Sequence, residues 1–149
     1  MKSLINLLAI LILLSLCVES YSQMGITNYS LYGFGVNTGQ NRKISAELKT
    51  FANVSFDMIQ MEIDAFYNFK ARDFHRFSVG IGIVGHPFIG DDHIYALSIP
   101  FQLVVYPLQQ FKRFTLIYEL STMMIVEGDV VLRNLFGFRY TFGKKVAEK

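Results

Sequence analysis

Leu132–Phe142 reads LRNLFGFRYTF. Successive side chains of an extended strand point to opposite faces. That rule sorts Leu132, Phe136, Phe138, Tyr140 and Phe142 to one side and Arg133, Leu135, Gly137, Arg139 and Thr141 to the other. One face is nearly all aromatic, and the other carries two arginines. A soluble domain can bury one such aromatic face in a core. The same alternation recurs in most strands upstream, as a barrel standing in lipid requires.

The clearest of these upstream strands is Phe56 to Lys70. Ile59, Met61, Ile63, Ala65, Tyr67 and Phe69 share one face; Gln60, Glu62, Asp64, Asn68 and Lys70 share the other, interrupted by Phe66. Polar groups at consecutive positions of one face cannot enter an apolar core without partners. They need water or cations. Moving toward the C-terminus, Phe77, Val79, Ile81 and Ile83 oppose Arg76, Ser78, Gly80 and Gly82. Glycines inside a strand signal a close approach by other groups, which a narrow lumen supplies. Tyr95 to Val105 follows, with Ala96, Ser98, Pro100, Gln102 and Val104 on the polar side. Pro100 removes a ladder donor, so a bulge or a break in pairing is expected there. Phe114, Leu116, Tyr118, Leu120 and Thr122 then alternate with Arg113, Thr115, Ile117, Glu119 and Ser121. Toward the N-terminus, Lys43 to Phe51 sets Ile44, Ala46 and Leu48 against Ser45, Glu47 and Lys49, and Tyr29 to Asn37 reads as one strand with Tyr32, Phe34 and Val36 together.

These are seven strands, joined by turn signals near Gly39, Arg72, Gln109 and Gly128 and by polar loops near Asn53 and Asp91. Bacterial single-chain barrels have an even number. Eight is therefore expected, with residues 23 to 28 supplying a short first strand or one apparent strand being divided.

The 149-residue chain has room for one domain, and its net charge of +2 is dispersed. Nucleic acid binding is not supported. Lys2, the apolar run Leu4 to Val18 and Ser20-Tyr21-Ser22 form a secretory signal peptide over residues 1–22, cut before Gln23, with the barrel domain over 23–149. The only cysteine, Cys17, leaves with it. No later apolar run is long enough to span a membrane as a helix, so a membrane-embedded mature chain must span as strands.

Alternation alone leaves open which face points inward. A lipocalin-like secreted barrel keeps apolar residues inside to carry an apolar ligand; a membrane barrel reverses this. The apolar faces carry more volume than the interior of a barrel of about eight strands can hold, which favours the membrane arrangement. The inward charges are then Glu47, Lys49, Glu62, Asp64, Arg76, Glu119, Arg133 and Arg139. Burial obliges them to pair or to be hydrated, and arginine can grip a carboxylate bidentately. A paired network plugs the lumen, whereas an unpaired one forms a narrow channel for small solutes or ions.

Other constellations are weaker. His86, Asp91, Asp92 and His93 have metal-ligand types, but their spacing matches no closed site, and no metal or other cofactor is expected. Ser78, Ser98 and His75 cannot be placed in one layer as a catalytic set, so no enzyme activity is expected. Gly33-x-Gly35 and Gly80-x-Gly82 lie in strands and open no helix, which removes a nucleotide loop. No small-molecule substrate emerges. Tyr29, Tyr32, Tyr67, Tyr95, Tyr106, Tyr118 and Tyr140 are expected to form an interfacial girdle.

Gly137, Tyr140 and Phe142 match the Gly-x-x-hydrophobic-x-hydrophobic pattern that closes the last strand of many Gram-negative outer-membrane barrels. Leu135 stands where a polar residue is common, and GKKVAEK follows Phe142. With the signal peptide and the repeated hairpins, the chain resembles small outer-membrane barrel proteins of the OmpA/OmpX-like family. The resemblance implies an all-β, closed antiparallel up-and-down transmembrane barrel in the outer membrane. It also implies contact with outer-membrane lipid and insertion by the barrel-assembly machinery. The family orientation puts the turns near Gly39, Arg72 and Gln109 in the periplasm, and those near Asn53, Asp91 and Gly128 outside. The role expected is structural or surface interaction.

Overall fold

The computed structural model describes residues 23–39, 42–52, 59–87, 94–126 and 128–143. Residues 1–22, where a signal peptide is expected, the loop residues Asp91, Asp92 and His93, and residues 144–149 after Gly143 lie outside these described residues. So do the turn region near Asn53 and the start of the Phe56 strand.

The elements are β1 Met24–Tyr29, β2 Gly33–Asn37, β3 Ile44–Phe51, β4 Gln60–Asn68, β5 His75–Gly85, β6 Ile94–Val105, β7 Phe114–Ile125 and β8 Val130–Phe142. Each pairs antiparallel with its sequence neighbour, and β8 closes on β1 from Met24↔Phe142 to Tyr29↔Gly137. The result is a closed eight-strand barrel. The strand missing from the alternation pattern is β1. What reads as one run from Tyr29 to Asn37 is the end of β1, a tight turn and β2. Leu31 and Tyr32 lie in that three-residue turn, both in the left-handed region with φ of 63° and 56°. Tyr32 therefore sits at a hairpin tip and not on the β2 face.

The stagger of the barrel follows from its registers. A walk across the strands from Ile26 runs through Val36, Leu48, Ile63, Ile83, Leu97 and Met124 to Val130 on β8. The β8 partner of Ile26 is Tyr140, ten residues further along. With about 3.3 Å rise per residue and about 4.8 Å between strands, that shear tilts eight strands by roughly 40°.

Burial alternates strictly along most strands and decides the orientation of the faces. Ile63 is 64%, Leu97 45% and Phe138 59% exposed, whereas Glu62 is 0% and Arg139 1%. Oily side chains coat the outside, and the polar set is enclosed. This arrangement excludes the lipocalin-like alternative, whose apolar face would line the cavity.

Three irregularities of the sequence resolve into one packing solution. Phe66 turns inward opposite Gly80, where a Cβ would lie 2.8 Å from the Phe66 ring. The β5–β6 register passes directly from Val79↔Phe101 to Gly82↔Ser98, so pairing on this side of β6 lapses around Pro100 as expected. The register itself shifts further on, between Val84 and Gly85.

The tyrosine girdle is only partly formed. Tyr67, Tyr118 and Tyr140 face outward, but Tyr29 and Tyr106 are buried inside with Phe51, Val104, Ile117 and Leu135. Tyr95 is half-buried and packs its ring edge-on to His86 at 5.0 Å.

Candidate functional site

The candidate site is the filled lumen. Period-two alternation on β1, β3, β4, β6, β7 and β8 aims Thr27, Tyr29, Glu47, Lys49, Glu62, Asp64, Ser98, Gln102, Glu119, Arg133 and Arg139 at the axis. Glycines on the same face make the space. A Cβ on Gly35 would lie 2.8 Å from Glu47 Oε1 and 3.0 Å from the Tyr29 ring, and one on Gly137 would lie 2.9 Å from that ring.

Two groups of contacts fill the cylinder. Toward the end where β1 begins and β8 finishes, Arg139 Nη2 donates to both carboxylate oxygens of Glu47 at 2.7 and 2.8 Å, and its Nε donates to Thr27 Oγ1 at 2.7 Å. One guanidinium nitrogen spans the carboxylate, instead of the parallel two-nitrogen fork that arginine geometry suggests. Tyr29 OH donates to Glu47 Oε1 at 2.7 Å.

The second group centres on Lys49. Its ammonium lies 2.6 Å from Glu119 Oε1, 2.8 Å from Asp64 Oδ2 and 3.9 Å from Glu62 Oε1. Arg133 Nη2 donates to Glu62 Oε2, its Nε donates to Ser121 Oγ at 3.2 Å, and its guanidinium stacks 4.9 Å from the Phe51 ring centre. Gln102 Nε2 joins the groups by donating to Glu119 Oε2 at 3.0 Å and Glu47 Oε2 at 3.3 Å. Each acid thus meets a cation across the lumen, as burial of charge demands.

Seven of the eight charged residues singled out from the sequence therefore meet in one network. Arg76 faces inward and is buried, but it is engaged outside these ion pairs. In the terminal layer, Asn68 Nδ2 donates to Ser45 Oγ at 2.9 Å, and Ser78 Oγ donates to Asn68 Oδ1 at 2.6 Å. Sequence reasoning put Tyr29 in the interfacial girdle and left Thr27 unassigned, whereas both are buried in the lumen. The signal for Tyr29 was present: Gly33, Gly35 and Gly137 all leave room on the inward face for one large side chain.

The remaining candidates are separated. Ser98 Oγ lies 2.8 Å from Glu62 Oε1 and 3.2 Å from Asp64 Oδ1, while His75 packs its ring 5.8 Å from Phe77, so His75 serves neither inward serine. Among the described residues no group of three His, Cys, Asp or Glu side chains is placed to hold a metal ion. Gly137 faces the lumen, and Tyr140 and Phe142 face outward, packing edge to face at 4.8 Å.

An antiparallel eight-strand barrel, apolar outside and charge-paired inside, has the fold of the small outer-membrane barrels. Comparison with protein-family models and with curated proteins finds no match. Among solved structures, the chain is similar to the backbone structure of the Yersinia pestis outer membrane protein Ail in a phospholipid bilayer nanodisc. The TM-score is 0.52 at 13% sequence identity, covering 80% of this chain and 97% of that one.

Proposed function

We propose that the chain is an integral outer-membrane barrel whose lumen is closed by its own charge network, with a structural or surface-interaction role and no catalysis. The apolar outer surface supports the membrane placement, because hydrocarbon is the solvent that such a surface does not disturb. The signal peptide over 1–22 accounts for export, and Gly137, Tyr140 and Phe142 for recognition by the assembly machinery. In this reading the turns near Gly39, Arg72 and Gln109 face the periplasm.

One observation carries the closed-lumen reading: the Lys49 ammonium bridges Glu119 on β7 and Asp64 on β4, at 2.6 and 2.8 Å. An ion crossing the barrel would have to displace buried, charge-paired side chains from one another, which burial penalises. Planar-bilayer recording tests this directly. A quiet membrane after verified insertion is the expected result, and discrete, salt-dependent current steps would establish a channel instead. Recovery of the protein in the soluble periplasmic fraction without detergent would refute the membrane placement.

A further inference from the structure

The two ends of the barrel differ in sign. The connections at the end where β1 begins and β8 finishes, residues 38–43, 69–74 and 106–113, hold Arg42, Lys43, Lys70, Arg72, Lys112 and Arg113 against one acid, Asp73. Among the described residues of the connections at the opposite end, 30–32, 52, 59, 86–87, 126 and 128–129, Asp129 is an acid and there is no lysine or arginine.

On the basic end, the β4–β5 connection forms an open groove of about 770 Å³ lined by Phe69, Lys70, Ala71, Arg72, His75 and Phe77. Phe69 and Phe77 are half exposed on the outward face, continuous with the apolar coat. Lys70 and Arg72 are exposed just beyond them, and among the described residues no carboxylate lies within ion-pair distance of either. The backbone between them is fixed. Arg72 N donates to His75 O at 2.9 Å, and Gln109 Nε2 from the next connection donates to Asp73 O at 3.1 Å.

Apolar rings leading up to two exposed cations match one kind of molecule, an amphiphile with an anionic head. We propose that this groove seats an anionic glycerophospholipid, its acyl chain along Phe69 and Phe77 and its phosphodiester at Lys70 and Arg72. Arginine and lysine suit phosphate oxygens, and basic residues at a bilayer surface concentrate anionic lipid. The inference rests on the membrane placement proposed above.

The test uses the full barrel reconstituted in phosphatidylcholine vesicles, with trace spin-labelled phosphatidylglycerol or spin-labelled phosphatidylcholine. The motionally restricted fraction gives the relative affinity of each lipid for the protein surface. Failure of the protein to enter the vesicles at all would refute the membrane placement. In inserted protein, phosphatidylglycerol should be preferred several-fold, the preference falling as salt is raised. Lys70→Ala/Arg72→Ala should abolish most of it, Lys70→Arg/Arg72→Lys should retain it, and Lys112→Ala/Arg113→Ala should leave most of it intact. The unheated barrel's gel mobility shows that each variant is folded. Equal affinity for the two lipids, or equal losses from both alanine pairs, would overturn the site, and stronger retention of lipopolysaccharide than of phosphatidylglycerol would overturn its assignment to a glycerophospholipid.

Discussion

Replacing Arg139 by methionine removes the cation that Glu47 depends on while keeping a long unbranched side chain. The guanidinium is 1% exposed and supplies bonds of 2.7 and 2.8 Å to Glu47 and 2.7 Å to Thr27. Glu47 would keep Tyr29 OH at 2.7 Å and Gln102 Nε2 at 3.3 Å, both neutral donors. A buried charge left without its partner costs about 3–5 kcal/mol, which is roughly two to four orders of magnitude in the folding equilibrium. Glu47→Gln alone strands the arginine and should cost a similar amount. The double variant Glu47→Gln/Arg139→Met removes both charges and leaves an amide that Tyr29 and Gln102 can satisfy. Most of the stability should return, so the loss in the double variant should fall short of the sum of the two single losses by more than about 3 kcal/mol. Equilibrium urea titration in phospholipid vesicles measures these differences, followed by tyrosine fluorescence because the chain has no tryptophan. A single-variant loss below about 1 kcal/mol, or strictly additive losses in the double variant, would refute the pairing as the element that stabilises the lumen.

Ile63→Arg should cost about 2–4 kcal/mol in the same titration, since its outward side chain is placed for mid-bilayer lipid; full tolerance of it would contradict lipid contact. Gly82→Val drives a methyl-bearing Cβ onto the Asp64 carboxylate and the Ser98 hydroxyl, and about 1–3 kcal/mol of overpacking is expected, whereas outward Ile81→Leu should cost less than about 1.5 kcal/mol. Tyr118→Phe removes the hydroxyl that donates to outward-facing Asn134 Oδ1 at 2.9 Å, with an expected loss of about 1–3 kcal/mol. Asn134→Leu in that background should restore vesicle stability, and a failure to do so would mean that the pair is not lipid-facing.

The strands and their faces were legible wherever alternation was long. From Gln60 to Asn68 every side chain falls on the side that the period assigns, Phe66 included once its ring is placed against Gly80. The first hairpin was hidden because its turn uses Leu31 and Tyr32, two residues that rarely take positive φ and carry no glycine or asparagine signal. The seven-strand reading and the misplaced Tyr32 both trace to that one substitution of turn chemistry. Within the site, sign and face were readable but partners were not. Glu47 reaches Arg139 and Lys49 reaches Glu119 because a ten-residue stagger brings distant positions to one height, and stagger is a property of closure that no single strand encodes. Tyr29 illustrates a further limit, since an aromatic ring in a short strand suggests an interfacial anchor until the glycines that make room for it are brought beside it.

The seam between the first and last strands bears on how the molecule comes together. Arg139 and Thr27 stand 112 positions apart and Arg139 and Glu47 92 apart, so the contacts that tie the lower lumen exist only after the chain's two extremes have met. A half-assembled cylinder would hold Glu47 wet and without this cation. Sealing the wall and drying the interior are thus a single late event, and contacts so remote along the chain are slow to form.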